Sequence, residues 1–106
     1  MIEQKSTYSE GDIVSFRLAT SEEIVAKVEQ DLDKLWIVSQ PLLVVPVRDG
    51  GLQLIPPMLS TQPGQEFRLQ KSHVMLDAPA AEPVADHYRE ITTGIKAVRK
   101  PGIILG

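Results

Sequence analysis

Between residues 12 and 77 the chain breaks into short apolar segments divided by turns, with no helix-length pattern among them. Asp12-Ile13-Val14-Ser15-Phe16-Arg17-Leu18 alternates, and so does Glu23-Ile24-Val25-Ala26-Lys27-Val28-Glu29. Leu35-Trp36-Ile37-Val38 runs on into Leu42-Leu43-Val44-Val45, and Leu52-Gln53-Leu54-Ile55 and Phe67-Arg68-Leu69 follow. A period of two is the signature of a strand. Five short strands in about 65 residues bury their edges only by curling into a small barrel or by pairing with neighbours. The pattern therefore constrains architecture and assembly more than chemistry.

The turns set the bounds. Gly11-Asp12 leads into a strand over 12–18, and the polar link Ala19–Glu22 turns it into a second over 23–31, with Ile24, Ala26 and Val28 on one face. After Asp31–Lys34 comes a long third strand, 35–47. Its unbroken apolar run implies cover on both sides, and Pro41 and Pro46 mark bends or an edge. Asp49-Gly50-Gly51 is the clearest turn, opening a fourth strand over 52–61 that Pro56-Pro57 interrupts. A fifth strand is expected over 66–77. At residue 83 the period changes: Val84, Tyr88, Ile91 and Ile95 fall at helical spacing behind Pro83, and Gly94 suits the helix end. The expected organisation is a flexible arm over 1–11, a barrel over 12–78, a helix region over 79–95 and a basic, then apolar, tail over 96–106.

One domain of 106 residues with 42% apolar side chains builds a small core, of the kind often reinforced by oligomerisation. There is no cysteine, which suits a reducing compartment and rules out thiolate chemistry. No stretch reaches the roughly 18 apolar residues of a membrane span. Met1 to Glu10 lacks the apolar region of a signal peptide, so a cytoplasmic location is expected. The formal charge of −3 is unevenly spread: residues 1–33 carry three basic and eight acidic side chains, residues 34–106 eight and six. A fold that separated these parts would have one positive face.

These segments together resemble the Sm-like (LSm) family of small, bent, five-stranded barrels. The resemblance rests on Val14-x-Phe16-x-Leu18, the short hairpin, Ile24–Val28, an acidic turn at Asp31, the long strand through Trp36 to Val47, and Phe67–Leu76 where the second Sm motif would lie. Lys71 and His73 are similar to the Lys-His pair of the bacterial Hfq branch, with Ser72 between them. The departures bear on function. The bent second strand has Val25 and Ala26 in place of glycine. Asp33-Lys34-Leu35-Trp36-Ile37 lacks the base-reading asparagine, and Gln70-Lys71-Ser72 stands for Arg-Gly-Asn/Asp. The helix is C-terminal rather than N-terminal. Ser39-Gln40-Pro41-Leu42, the double proline and Lys71-Ser72-His73 also look like small proteins of tailed phages; a phage-encoded protein would act in the host cytoplasm.

The resemblance implies a mainly β fold, a five-stranded Sm-like barrel with one C-terminal helix. It also implies a cyclic homo-oligomer, on the order of five to seven subunits, closed by pairing the fourth strand of one copy with the fifth of the next. Leu52, Leu54, Ile55, Phe67 and Leu69 are the candidate interface residues. RNA binding of low sequence specificity is the leading expectation, through Arg68, Lys71, His73, Lys96, Arg99 and Lys100, with Trp36 as a stacking surface. Trp36 beside Ile37 and Val38 suits a core or subunit-interface position better. The alternative is a structural or protein-binding ring without nucleic acid, in which Ile103-Ile104-Leu105 of the tail engages a protein partner. No catalytic motif, cofactor site or metal-ligand spacing is present in the sequence, so no enzyme is expected.

Overall fold

The computed structural model describes residues 7–58, 60–62 and 64–93. The protein is mainly β: a six-stranded antiparallel sheet with one C-terminal helix. The strands are β1 Ile13–Leu18, β2 Glu23–Asp31, β3 Leu35–Pro46, β4 Leu52–Ile55, β5 Glu66–Gln70 and β6 Val74–Pro79, followed by α1 Glu82–Thr93. The order across the sheet is β4-β3-β2-β1-β6, with β5 also paired to β3.

Six strands replace the five expected because the segment 66–77 is not one strand. Lys71–His73 form a single 3-10 turn that divides it into β5, on the edge of β3, and β6, on the edge of β1. The turn is fixed at both ends: Lys71 N–H donates to the Lys34 carbonyl at 3.0 Å, and the His73 carbonyl accepts from Ala19 N–H at 2.8 Å. No glycine or proline announces this turn in the sequence. The fourth strand likewise stops at Ile55, before Pro56-Pro57, since neither ring nitrogen donates to a ladder.

The turn joins the two ends of the sheet, and the sheet curls round one core. Val14 and Phe16 of β1, Ile24, Ala26 and Val28 of β2, and Trp36 and Val38 of β3 are buried together, with Phe67 and Leu69 of β5 and Val74 of β6 packed against them. A flat sheet could not bring residues of β5 and β6 into the same cluster. The alternation of β2 is as its sequence requires, with Val25 on the opposite face.

β3 changes parity midway. Trp36 and Val38 face the core, but beyond the bend Leu43 does so, while Leu42 and Val44 face outward. The register shows why: Lys27 pairs with Ser39 but Val25 with Leu42, so β3 holds an extra residue at Gln40–Pro41. Gln40 takes φ +49°, the left-handed conformation such a bulge demands, at a cost of roughly 1–2 kcal/mol for a residue with a Cβ.

α1 packs on the outer face over this bend. Tyr88 is 1% exposed and joins Val25 and Leu42, with Val84 alongside. Its hydroxyl lies 2.8 Å from the Gln40 carbonyl and 3.1 Å from that of Ser39, offering a donor to acceptors displaced from the ladder. Gln40 Nε2 in turn donates to the Thr92 carbonyl at 3.1 Å, near the helix end. The buried flank is Ala85 and Tyr88; Ile91, expected on the apolar stripe, is 36% exposed, because a step of three from Tyr88 rotates it off the sheet. Ile95 lies outside the described residues.

Of the N-terminal segment, residues 7–11 are described, and in it Tyr8 is 8% exposed and belongs to the core cluster.

Candidate functional site

The most organised polar cluster ties the N-terminal segment to the end of β2 and to β6. Asp31, at the end of β2, has a side chain only 2% exposed, while the Lys71 side chain is 32% exposed. Its Oδ1 accepts from Lys71 Nζ at 2.7 Å. Oδ2 accepts from the backbone N–H groups of Thr7 and Tyr8 at 2.8 and 3.0 Å. Burial opposes ionisation of this carboxyl, but the hydrogen bonds from Lys71, Tyr8 and Thr7 outweigh it and hold Asp31 below the ordinary carboxylate range. Tyr8 crosses the barrel mouth, and its hydroxyl donates to Asp77 Oδ1 on β6 at 2.6 Å. Burial, then the bond to Asp77 and the nearby carboxylates, push the Tyr8 phenol far up.

Trp36 lies beneath this strap. Its ring centroid is 4.8 Å from that of Phe16 and 6.5 Å from that of Tyr8, and Lys71 Nζ sits 4.9 Å from it, a cation–π contact. At 5% exposure Trp36 is a core residue and leaves no ring face on which a base could stack.

The other candidate residues are dispersed. Lys71 and His73 do not share a strand face, because both lie in the 3-10 turn. Lys71 turns in to Asp31, and His73 is exposed. Arg68 is exposed on β5. Lys96, Arg99 and Lys100 lie outside the described residues. Of the expected interface side chains, Phe67 and Leu69 pack on the barrel core and Leu54 under the helix, Ile55 is half-buried, and Leu52 is 50% exposed.

Tyr8, Asp31 and Asp77 are not among the candidate site residues that the sequence offers, Asp31 entering only as part of an acidic turn. Tyr8 stands alone in a polar segment, and Asp31 looks like an ordinary turn acid. An aromatic in an otherwise polar arm is the one signal that could have pointed to the strap.

The sheet ends supply the second feature. Among the described residues β4 and β5 pair only with β3 and β6 only with β1, so each of the three has an open edge. On β6 a bulge between Arg17 and Leu18 of the partner register puts Met75 and Leu76 side by side, each 64% exposed. They are the most exposed large apolar side chains among the described residues.

The chain matches no family model and no curated protein. Among the described residues no group of three or more His, Cys, Asp or Glu could hold a metal ion, and no helix is long and apolar enough to cross a membrane.

Proposed function

We propose that the chain is an Sm-like assembly module, in which copies join edge to edge through β5 and β6 into a closed homo-oligomeric ring that serves as a structural or protein-binding platform. The observation that carries this reading is that β5 and β6, like the short β4, each keep an open edge, with Met75 and Leu76 exposed on β6. Unsatisfied edges flanked by apolar side chains invite pairing. A contact between two different edges, repeated by rotation, satisfies both at once.

The resemblance to Sm-like barrels supports the geometry. The long, bent β3 fits that architecture, with β4 as an added hairpin strand. β5 and β6 then take the places of the family's fourth and fifth strands, and the family's habit gives a ring of about five to seven subunits. The reading involves no catalysis or cofactor and carries a cytoplasmic location, the host's if the chain is of phage origin.

RNA association is the second reading, favoured by the exposure of Arg68 and His73 beside the β5 edge. Against it, residues 7–93 carry seven basic and thirteen acidic side chains. Lys71 is engaged by Asp31, and Trp36 is buried. A Lys71→Glu change would face a second carboxylate to Asp31, so lost RNA retention in that variant would report folding; Arg68→Glu is the cleaner probe.

The test of assembly is light scattering on Leu76→Arg, which charges the exposed face of β6 without touching the core. The variant is expected to run as a monomer with an unchanged circular dichroism spectrum, and assembly persisting through Leu76→Arg and Met75→Lys together would overturn the edge reading. Fluorescence anisotropy with a labelled single-stranded RNA separates the two readings: the platform reading expects no binding even at low salt, and micromolar, salt-sensitive binding lost in Arg68→Glu would replace it.

A further inference from the structure

The bend of β3 leaves a gap in the sheet. On its outer edge β3 pairs with β5 along Leu35–Ser39 and with β4 along Leu43–Pro46, so Gln40, Pro41 and Leu42 have no strand on that side. Described residues of the segment connecting β4 to β5, Pro56, Pro57 and Met58 among them, face this gap across a groove. The groove, of about 290 Å³, is lined by Pro41, Leu42, Pro56, Pro57, Met58 and Phe67. The polar groups that complete it, Gln40 among them, are uncharged.

What the groove receives is indicated by where the helix ends. Gln40 lines the groove, and its Nε2 holds the Thr92 carbonyl at 3.1 Å. The chain therefore leaves α1 beside the groove. The next 13 residues carry Lys96, Arg99 and Lys100 and no acid, whereas residues 7–93 carry thirteen acids to seven bases. Ile103-Ile104-Leu105 is the one run of three apolar residues in that segment. Ile95 and Val98 sit next to Lys96 and Arg99, whose charge an uncharged groove could not accept without large desolvation. Nine residues lie between Thr93 and Ile103, ten steps along the chain with a reach of up to about 33 Å, ample for a site adjoining the tether.

We infer that Ile103-Ile104-Leu105 docks in this groove on its own chain. The docked segment covers the β3 edge that neither β4 nor β5 reaches. It also closes a site that would otherwise accept an extended strand from another molecule. Nothing in this inference depends on the ring proposed above.

The absence of cysteine makes a direct test available. Met58→Cys, at the 51% exposed groove residue, is combined with Ile104→Cys and oxidised gently at low protein concentration. The control pair is Leu32→Cys with Ile104→Cys, at an exposed turn beside Leu35, five strand residues, or about 17 Å, from the bend at Gln40. The expected result is an intrachain disulfide, read by mass spectrometry, at least fivefold more abundant in the groove pair than in the control. Replacing Ile103 and Leu105 by Asp is expected to abolish that preference without altering circular dichroism. Equal yields in the two pairs, disulfides only between chains, or a preference that survives the Asp replacements would each overturn the inference.

Discussion

Asp31→Asn is the perturbation that the barrel-mouth cluster predicts most sharply. In the native protein this side chain, 2% exposed, accepts from the N–H groups of Thr7 and Tyr8 and from the Lys71 ammonium at 2.7 Å. The amide oxygen of Asn can still accept from Thr7 and Tyr8, but its NH2 group then opposes Lys71 donor to donor. A charge-assisted bond is worth about 1.5–3 kcal/mol. Lys71 is one-third exposed, so water compensates part of the loss, and the net cost is about 1–2 kcal/mol. For a domain of this size that lowers Tm by roughly 5–12 °C. Trp36 is the only tryptophan, so its fluorescence reports the strap directly. Asp31→Asn is expected to increase iodide quenching of Trp36 at a temperature where circular dichroism remains native. The pH dependence has a defined sign. A carboxyl held below its unfolded value stabilises the fold above that value and loses the contribution as pH falls through the folded one. The gap between wild type and variant should therefore be full at neutral pH and close below about pH 4. Unchanged Tm and unchanged quenching in Asp31→Asn would refute the assignment of Asp31 as the anchor of the strap.

Other consequences are open to simple measurement. Tyr88→Phe removes the donor that serves the Ser39 and Gln40 carbonyls and should cost about 1–2 kcal/mol in urea unfolding with an unchanged m-value. Ser21, at φ +84°, turns β1 into β2 in a conformation suited to glycine, and Ser21→Gly should raise stability by about 0.5–1 kcal/mol in the same assay. Tyr8 and Tyr88 are the only tyrosines, and burial raises both phenols. Ultraviolet titration of the folded protein should show no tyrosinate at pH 10–11, and stability should fall as pH rises past the unfolded-state value near 10. Arg89→Ala breaks only an exposed pair with Asp86 and should change Tm by less than about 2 °C.

Much of the sheet was legible because burial on one face writes a period of two. The alternation of β2 gave its core face, and the double-sided apolar run of β3 gave the existence of an outer cover, which α1 supplies. What stayed hidden depends on contacts distant in sequence. The 3-10 turn at Lys71–His73 has ordinary residues and is fixed by carbonyl and N–H partners at Lys34 and Ala19. The parity change in β3 follows from one bulged residue, and Pro41 marked its place without its consequence. The same turn undid the pairing of Lys71 with His73, since two positions that share a face in a strand diverge in a helical turn. The apolar neighbours of Trp36 point to a core position, and it lies there between Phe16 and Tyr8, the latter far off in the chain. The strap itself has no local pattern, because Asp31 and Asp77 are 24 and 69 residues from the groups they hold.

The central claim is that the open edges of β5 and β6 close on copies of the chain. A native mass spectrum of the purified protein tests it most directly. The account predicts one dominant species at a single multiple of the 11.7 kDa chain, about five to seven copies, that Leu76→Arg converts to monomer. A monomer at high micromolar concentration, or a ladder of ever-longer species without a closed form, would contradict it.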